Sequence, residues 1–327
     1  MEQIIMNSNS NLLSEDLDSL DNLSYSITIR TRGKNEKIIE TLKCLSYQSL
    51  QPAEIVIVIP EDANEWNLEY FSKVAKFVKS KKGMISQRKQ GILETRNEYL
   101  LLLDDDVLFK DFDAIKKLFL PVIRGEATCT IPFHPDMIFN GLRRYVYGVF
   151  GIAVPTHSRK LKYLPGGGYQ YPATHNLSEP YEIEGGFGRC IAVNRQFLVE
   201  KQLYGDLSLE VSRYPVREDG AFIFSIVQNG GKALLVDAGL YEHLASQAAT
   251  NPTRTFDSYE SLIYNHFLFW KKYIRRRYRF QIVPIFGFAC YLTGILFLSV
   301  FASLSKKSIL PIKGAFSGLL RLFGFLK

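Results

Sequence analysis

Apolar positions in the first third of the chain fall into two alternating patterns. "YSITIR" (Tyr25–Arg30), "EIVIVI" (Glu54–Ile59) and the run from Tyr99 to Leu103 are short and dense in aliphatic residues, as in strands of a sheet covered on both faces. Between them, apolar residues recur every three or four positions. That spacing predicts a helix from about Lys34 to Tyr47 and a second, amphipathic one beginning near Asn64 and broken by Gly83. A short strand is expected near Met84 to Gln87, ahead of the leucine run. Strands alternating with helices predict an α/β fold with a parallel sheet.

From Thr128 the texture changes. Pro132, Pro135, Pro155, Pro165, Pro172 and Pro180 interrupt an aromatic-rich stretch containing "PGGGYQYP", and irregular loops of this length usually bind ligands or act as lids. "EIEGGFGRCIAVNRQFL" (Glu182–Leu198) then reads as a glycine-rich turn, a short strand and a helix starting near Asn194. "REDGAFIFSIVQNGG" (Arg217–Gly231) reads as a helix closed by glycines, with Glu218 and Asp219 in its first turn. Acidic residues there favour the helix macrodipole whatever else they do. "KALLVD" is a further strand, His243 lies just beyond it, and Phe256 to Tyr273 is a helix whose aromatic stripe suits core packing.

The far end is different again. Ile282 to Leu304 contains no charged residue and is long enough to cross a bilayer, which favours membrane attachment; the alternative, suggested by Pro284 and Gly287, is a buried helix of a soluble protein. Ile309 to Lys327 mixes Leu and Phe with Lys313, Arg321 and Lys327, the composition of a helix lying in a membrane interface.

Charge sharpens this picture. The 327 residues carry 40 Lys and Arg against 33 Asp and Glu, a net charge of +7, and much of the excess lies in "KKYIRRRYR" (Lys271–Arg279), beside the apolar segment. A basic cluster in that place suits anionic headgroups. It is not spread along a face with interleaved aromatics, so nucleic-acid binding is not expected. The polar, acidic start of the chain lacks the pattern of a signal peptide, so the folded part is expected in the cytoplasm. Cys44, Cys129, Cys190 and Cys290 form no CxxC pair, so free thiols are expected in place of a disulfide framework or a zinc site.

The leucine run ends in Asp104, Asp105 and Asp106, at the strand edge where open α/β sheets bind ligands. If the backbone stays extended, Asp104 and Asp106 point one way and Asp105 the other. Three adjacent carboxylates repel one another. Either they form a solvated acidic turn, or a hard divalent cation, Mg²⁺ or Mn²⁺, lies among them. No G-x-G-x-x-G follows the first strand, which argues against a dehydrogenase.

In order and spacing, "SITIRTRGKNEKIIETLKCLSYQSLQPAEIVIV", "SQRKQGILETRNEYLLLLDDDV", "EGGFGRCIAVNRQFL" and "REDGAFIFSIVQNGGKALLVD" resemble glycosyltransferase family 2, whose members have the GT-A fold. The resemblance runs from about Ser24 to Tyr273. It implies a Rossmann-like, mostly parallel central sheet with flanking helices, to which the apolar end adds a C-terminal hydrophobic helical membrane segment. It also implies that Thr31, Arg32, Arg88, Asp104 and Asp105 bind the nucleotide-sugar donor, that Asp106 and Asp104, with His243, hold Mn²⁺ or Mg²⁺, and that Gly185, Gly186 and Phe187 meet the acceptor. Asp219 would be the catalytic base, beside Glu218. Where the family ends its second strand with an aspartate on the nucleobase, this chain has Ile59 and Pro60; Glu61 and Asp62, slightly later, are the candidate substitutes.

The resulting division is an acidic, disordered start at 1–23, a nucleotide-sugar half at 24–127, an acceptor and base half at 128–255, a helix with the basic run at 256–280 and a membrane tail at 281–327. The function expected is transfer of a sugar from a UDP-, GDP- or dTDP-linked donor to a glycan or polyprenyl-linked acceptor, with inversion, at the cytoplasmic face of a membrane and in contact with its lipids. A Mg²⁺-dependent phospho- or nucleotidyltransferase, or a non-catalytic glycan-binding protein of the same fold, are the alternatives.

Overall fold

The computed structural model describes residues 16–31, 37–63, 73–174, 177, 179–211, 215–239, 241–243 and 252–326. Nine strands form one sheet. Four of them, β3 (Lys76–Ser80), β2 (Glu54–Pro60), β1 (Tyr25–Arg30) and β4 (Tyr99–Asp104), lie side by side and parallel. The sheet continues through β11 (Cys190–Asn194), antiparallel to β4, then β6 (Cys129–Pro132), β12 (Ala233–Val236), β10 (Tyr181–Ile183) and β8 (Lys160–Leu161). Parallel pairs predominate, as expected.

The four leucines of β4 explain themselves. Leu101 and Leu103 pack with Ile27, Ile29 and the helix α3 (Ala114–Ile123) on one face of the sheet, while Leu100 and Leu102 join Ile131, Ile191 and Phe222 on the other. All four are buried, and each contributes about 1.5–3 kcal/mol relative to exposure. None of the four faces water, so the alternation of a half-buried strand is lost.

Two expected elements are different in the structure. The amphipathic helix expected from Asn64 lies partly outside the described residues, and its end, Lys76–Ser80, is the edge strand β3, paired in parallel with β2 from Val56↔Lys76 to Pro60↔Ser80. A segment of five residues fits either period, and tertiary pairing decides; the exposed Lys76 and Lys79 suit a sheet edge that must not pair further. Conversely, the strand expected at Met84–Gln87 is the first turn of a helix, α2 (Met84–Glu94). Ile85, Arg88 and Ile92 fall on its buried face, a helical spacing. Glu210 caps this helix from a distant loop, accepting from Ile85 N and Ser86 Oγ, both at 2.8 Å.

Other helices fall close to expectation. α1 (Lys37–Ser46) follows β1, α5 (Arg195–Glu200) starts after the Asn194 side chain caps Phe197 N at 3.0 Å, and α6 (Glu218–Gln228) opens with the acidic pair. Between Gly141 and Pro172 the expected loops are in part ordered elements: helix α4 (Gly141–Val149) and the paired strands β7 (Ala153–Thr156) and β9 (Tyr169–Pro172).

The C-terminal helices pack on this body. α7 (Pro252–Phe269) is covered by α9 (Leu310–Leu322), whose Gly314 and Gly318 let it approach closely: a methyl group on them would stand 2.3 Å from Phe256 O and 2.6 Å from Glu260 O. α8 (Ile282–Ser305) buries a stripe of Pro284, Tyr291, Ile295, Ser299 and Ser303. Its other face, with Phe286, Phe297, Phe301 and Leu304, is exposed.

Candidate functional site

Parallel register brings the ends of β1 and β4 together, with Arg30 opposite Asp104. Arg30 Nε donates to Asp104 Oδ1 at 2.6 Å, and its other nitrogens reach the start of α6: Nη1 to Glu218 Oε1 at 2.9 Å and Nη2 to Asp219 Oδ1 at 3.1 Å. From α2, Arg88 enters the same cluster. Its Nη2 lies 2.6 Å from Glu218 Oε2 and also donates to Asp219 Oδ1. Three carboxylates thus meet two guanidiniums at the carboxyl edge of the sheet.

Close packing places Arg88 there. Gly91 lies against Thr28, where a methyl group would stand 2.1 Å from its hydroxyl, so α2 approaches β1 more closely than any side chain would allow. Gln87, one turn earlier, donates to Thr31 O at 2.7 Å and Val58 O at 2.9 Å, tying the helix to both strand ends.

The aspartate triplet leaves the extended conformation after its first member. Asp104 ends β4, whereas Asp105 and Asp106 form the turn into β5 (Val107–Phe109), so the expected alternation of their side chains does not hold. Thr31 Oγ1 donates to Asp105 Oδ2 at 2.5 Å, and Lys37 Nζ lies 4.0 Å from Asp106 Oδ2. The short strand β13 (Tyr241–His243) pairs with β5 so that His243 is opposite Val107, next to Asp106; the His243 side chain and the whole of Arg32 lie outside the described residues. Glu61 and Asp62 follow β2 on the surface, where Asp62 pairs with Lys82 at 2.8 Å.

Crowding sorts the charges. Burial pushes the Asp104 carboxyl up to about 6 against the pull of Arg30, with Asp219 and Asp106 adding to the rise. Glu218 also moves up, because burial and the neighbouring Asp219 outweigh Arg88 and Arg30. For Asp219 burial works in the same direction, but Arg30 and Arg88 overcome it and hold the carboxyl well below the usual range. Of the acidic pair, Asp219 is thus pulled toward its ionised form and Glu218 toward its protonated one.

Asp219 also borders a cavity of about 230 Å³. The loop Gly185–Phe187, Tyr163, Tyr169 and Arg217 line it together with aliphatic side chains from β6, β8 and β10. The glycines are dictated by what they touch. Methyl groups on Gly185 and Gly220 would stand 2.0 Å and 2.3 Å from the Tyr163 hydroxyl, and one on Gly188 would meet the Asp219 carboxyl at 2.2 Å. Tyr163 and Tyr171, within the stretch expected to be irregular loops, are buried at 7 % and 2 % exposure.

Sequence reasoning missed Arg30 and Arg217. The signal for Arg30 was its place at the end of β1, beside Thr31 and level with the aspartates. Arg217, at φ 74°, takes a left-handed conformation that costs a non-glycine residue about 1–3 kcal/mol, and nothing in its neighbours announced it.

Residues 26–198 match the profile of glycosyl transferase family 2. Among solved structures, the chain is similar to the mannosyltransferase PcManGT from Pyrobaculum calidifontis, in complex with GDP-Man and Mn²⁺, at 12% identity over 93% of this chain and 88% of that one, with a TM-score of 0.52. Glucosyl-3-phosphoglycerate synthase from Mycobacterium tuberculosis, in complex with Mn²⁺, UDP and phosphoglyceric acid, matches at 11% identity over 77% and 82% of the two chains, with a TM-score of 0.46. No curated protein sequence matches. The likeness to PcManGT is one of fold, and the profile spans more than half of the chain: this protein belongs to glycosyl transferase family 2 and is a glycosyltransferase with an α/β, GT-A-like fold.

Proposed function

We propose that the enzyme is a metal-dependent, inverting glycosyltransferase that moves a sugar from a nucleoside diphosphate donor to a glycan or lipid-linked acceptor at the cytoplasmic face of a membrane. One observation carries the reading. The Asp219 carboxylate, held by Arg30 and Arg88 at the aspartate edge of the sheet, also borders a cavity of about 230 Å³.

In this reading the donor lies along the edge formed by Thr31, Arg88, Asp104 and Asp105, and the acceptor enters over Gly185, Gly186 and Phe187. Asp219 accepts the proton of the acceptor hydroxyl as it attacks the anomeric carbon from the side opposite the leaving diphosphate. Glu218, protonated more readily than its neighbour, holds the two arginines in register.

The donor set fits a hard divalent cation. Asp104 and Asp106 offer carboxylate oxygens within one turn, and among the described residues no group of three or more His, Cys, Asp or Glu forms a closed cage. Mg²⁺ is typically held by one or two carboxylates plus substrate phosphates. Asp106 and Asp104 would hold Mn²⁺ or Mg²⁺, which would stabilise the charge that develops on the leaving diphosphate; PcManGT is in complex with GDP-Man and Mn²⁺.

The test is nucleoside diphosphate release by the detergent-extracted protein from UDP-, GDP- and dTDP-sugars, with and without Mn²⁺ or Mg²⁺. Release from one donor, lost with chelator and in Asp106→Ala, is expected. Release that survives both treatments would refute the metal assignment, and transfer of phosphate in place of sugar would refute the reaction.

Membrane attachment rests on the exposed apolar face of α8, a helix long and apolar enough to cross a bilayer, preceded by the exposed Lys271, Arg276 and Arg279. Such a face in water marks an interaction site. The segment is not a detachable tail, because the Tyr291 ring stacks 3.6 Å from that of His266 in the body. Outward substitutions are therefore the sharper probe than deletion. Phe286→Ser with Phe301→Ser should move the protein from the membrane fraction to the soluble fraction while donor turnover persists; an unchanged distribution would count against attachment through this face.

A further inference from the structure

Arg217 is a half-buried cation in neutral company. Its Nε donates to His266 Nδ1 at 3.0 Å, and Nη2 reaches the Tyr291 hydroxyl at 3.4 Å. The guanidinium also lies over the rings of Tyr169 and Tyr291, 5.5 Å and 5.8 Å from their centroids. His266 cannot supply a counter-charge. Its Nδ1 accepts from Arg217, so Nε2 carries the hydrogen donated to Gly166 O at 2.8 Å, and burial together with Arg217 itself keeps the ring neutral.

Among the described residues, no carboxylate pairs with Arg217. The nearest acids in sequence, Glu218 and Asp219, are already engaged by Arg30 and Arg88. The contacts to His266 and Tyr291 occupy at most two of the five N–H donors of the guanidinium. A charge drawn partly out of water without a charged partner is costly, and this one is held by a left-handed backbone at the wall of the cavity that borders Asp219. The rest of that wall is aromatic and aliphatic. Arginine's planar fork matches phosphate oxygens two at a time.

We propose that the acceptor carries a phosphate group, that Arg217 binds it, and that the apolar cavity takes the portion of the acceptor beside it. This deepens the glycosyl-transfer reading by naming the acceptor's chemistry, and it rests on the acceptor entering through this cavity. The phosphate belongs either to a lipid-linked acceptor or to a water-soluble phosphorylated one.

Calorimetric titration of the full chain in detergent separates these cases, with decyl phosphate, inorganic phosphate and decanol as probes. Decyl phosphate is expected to bind the wild type and to lose tenfold or more in affinity in Arg217→Gln, with Arg217→Lys between them. Decanol binding should not respond to either substitution. If decyl phosphate binds at least tenfold more tightly than inorganic phosphate, the apolar chain contributes and the acceptor is lipid-linked; equal affinities, both lost in Arg217→Gln, assign a soluble phosphorylated acceptor. Equal binding of both phosphates to wild type and Arg217→Gln, or no binding of either to the wild type, overturns the proposal. Should Arg217→Gln fail to fold, Gln170→Trp, which narrows the same cavity, must weaken decyl phosphate binding, and unchanged binding again overturns it. Nucleoside diphosphate release from the donor with decyl phosphate present reads the parent reaction separately: its absence with phosphate binding intact would remove the acceptor assignment and leave the anion site standing.

Discussion

Asp219→Asn is expected to lower the turnover of sugar transfer by about 10²- to 10⁴-fold, the loss typical of a general base, or about 3–5 kcal/mol of barrier. Asparagine keeps the shape of the side chain and an oxygen that can accept from Arg30 and Arg88, so the fold and the KM for the donor should hold. What disappears is the negative charge that receives the proton. Steady-state kinetics with donor and acceptor varied in turn provide the measurement, and a kcat within threefold of wild type would remove Asp219 from the reaction. A second readout separates chemistry from architecture. The carboxyl of Asp219 is held low in the folded state, so its contribution to stability is present above the unfolded-state value of about 3.9 and is lost as pH falls through the lower folded one. The asparagine variant lacks that contribution and should show a shallower fall in unfolding midpoint on acidification than the wild type.

The parts of this arrangement that were legible in the sequence are those set by local pattern. The leucine run ending in aspartates, the glycine loop before a strand and the acidic pair opening a helix each occupy a contiguous stretch, and each falls in the structure where its pattern put it. β3 and the first turn of α2 were misread because five or six residues fit two periods equally, and only the pairing of Lys76–Ser80 with β2 and the cap from Glu210 decide between them. The triplet's side-chain directions were wrong for a related reason: alternation assumes extended backbone, and the chain turns at Asp105.

What stayed hidden depends on contacts across long separations. Arg30 and Asp104 are 74 residues apart and meet through strand register, while Arg88 and Asp219 are 131 apart. The cavity wall draws on β6, β8, β9, β10 and the start of α6, and no window of sequence contains it. The apolar end was legible as a helix of the right length, but not as part of the body, because the close approach of α9 to α7 rests on Gly314 and Gly318, whose role appears only against the opposing backbone.

Arg88→Met should be the most destabilising single change in the cluster. Arg88 and Glu218 are each 2% exposed at the side chain, and methionine fills similar space without charge. The substitution leaves Arg30 alone against Glu218, Asp219 and Asp104. Breaking a buried ion pair by removing one partner costs about 3–5 kcal/mol, because the remaining charge stays desolvated. Proton uptake offsets part of that loss. Glu218 already holds its proton more tightly than an ordinary glutamate, and losing Arg88 raises its folded-state pKa further. A carboxyl with a raised folded-state pKa contributes stability below its unfolded value of about 4.3, and that contribution disappears as pH rises through the folded value. The deficit of Arg88→Met relative to wild type should therefore be smaller at pH 5.5 than at pH 8. Urea unfolding in detergent at the two pH values gives the comparison. A variant as stable as wild type at pH 8 would mean that the cluster does not depend on Arg88 for its charge balance, and a deficit that grows toward acid would reverse the assignment of the proton to Glu218.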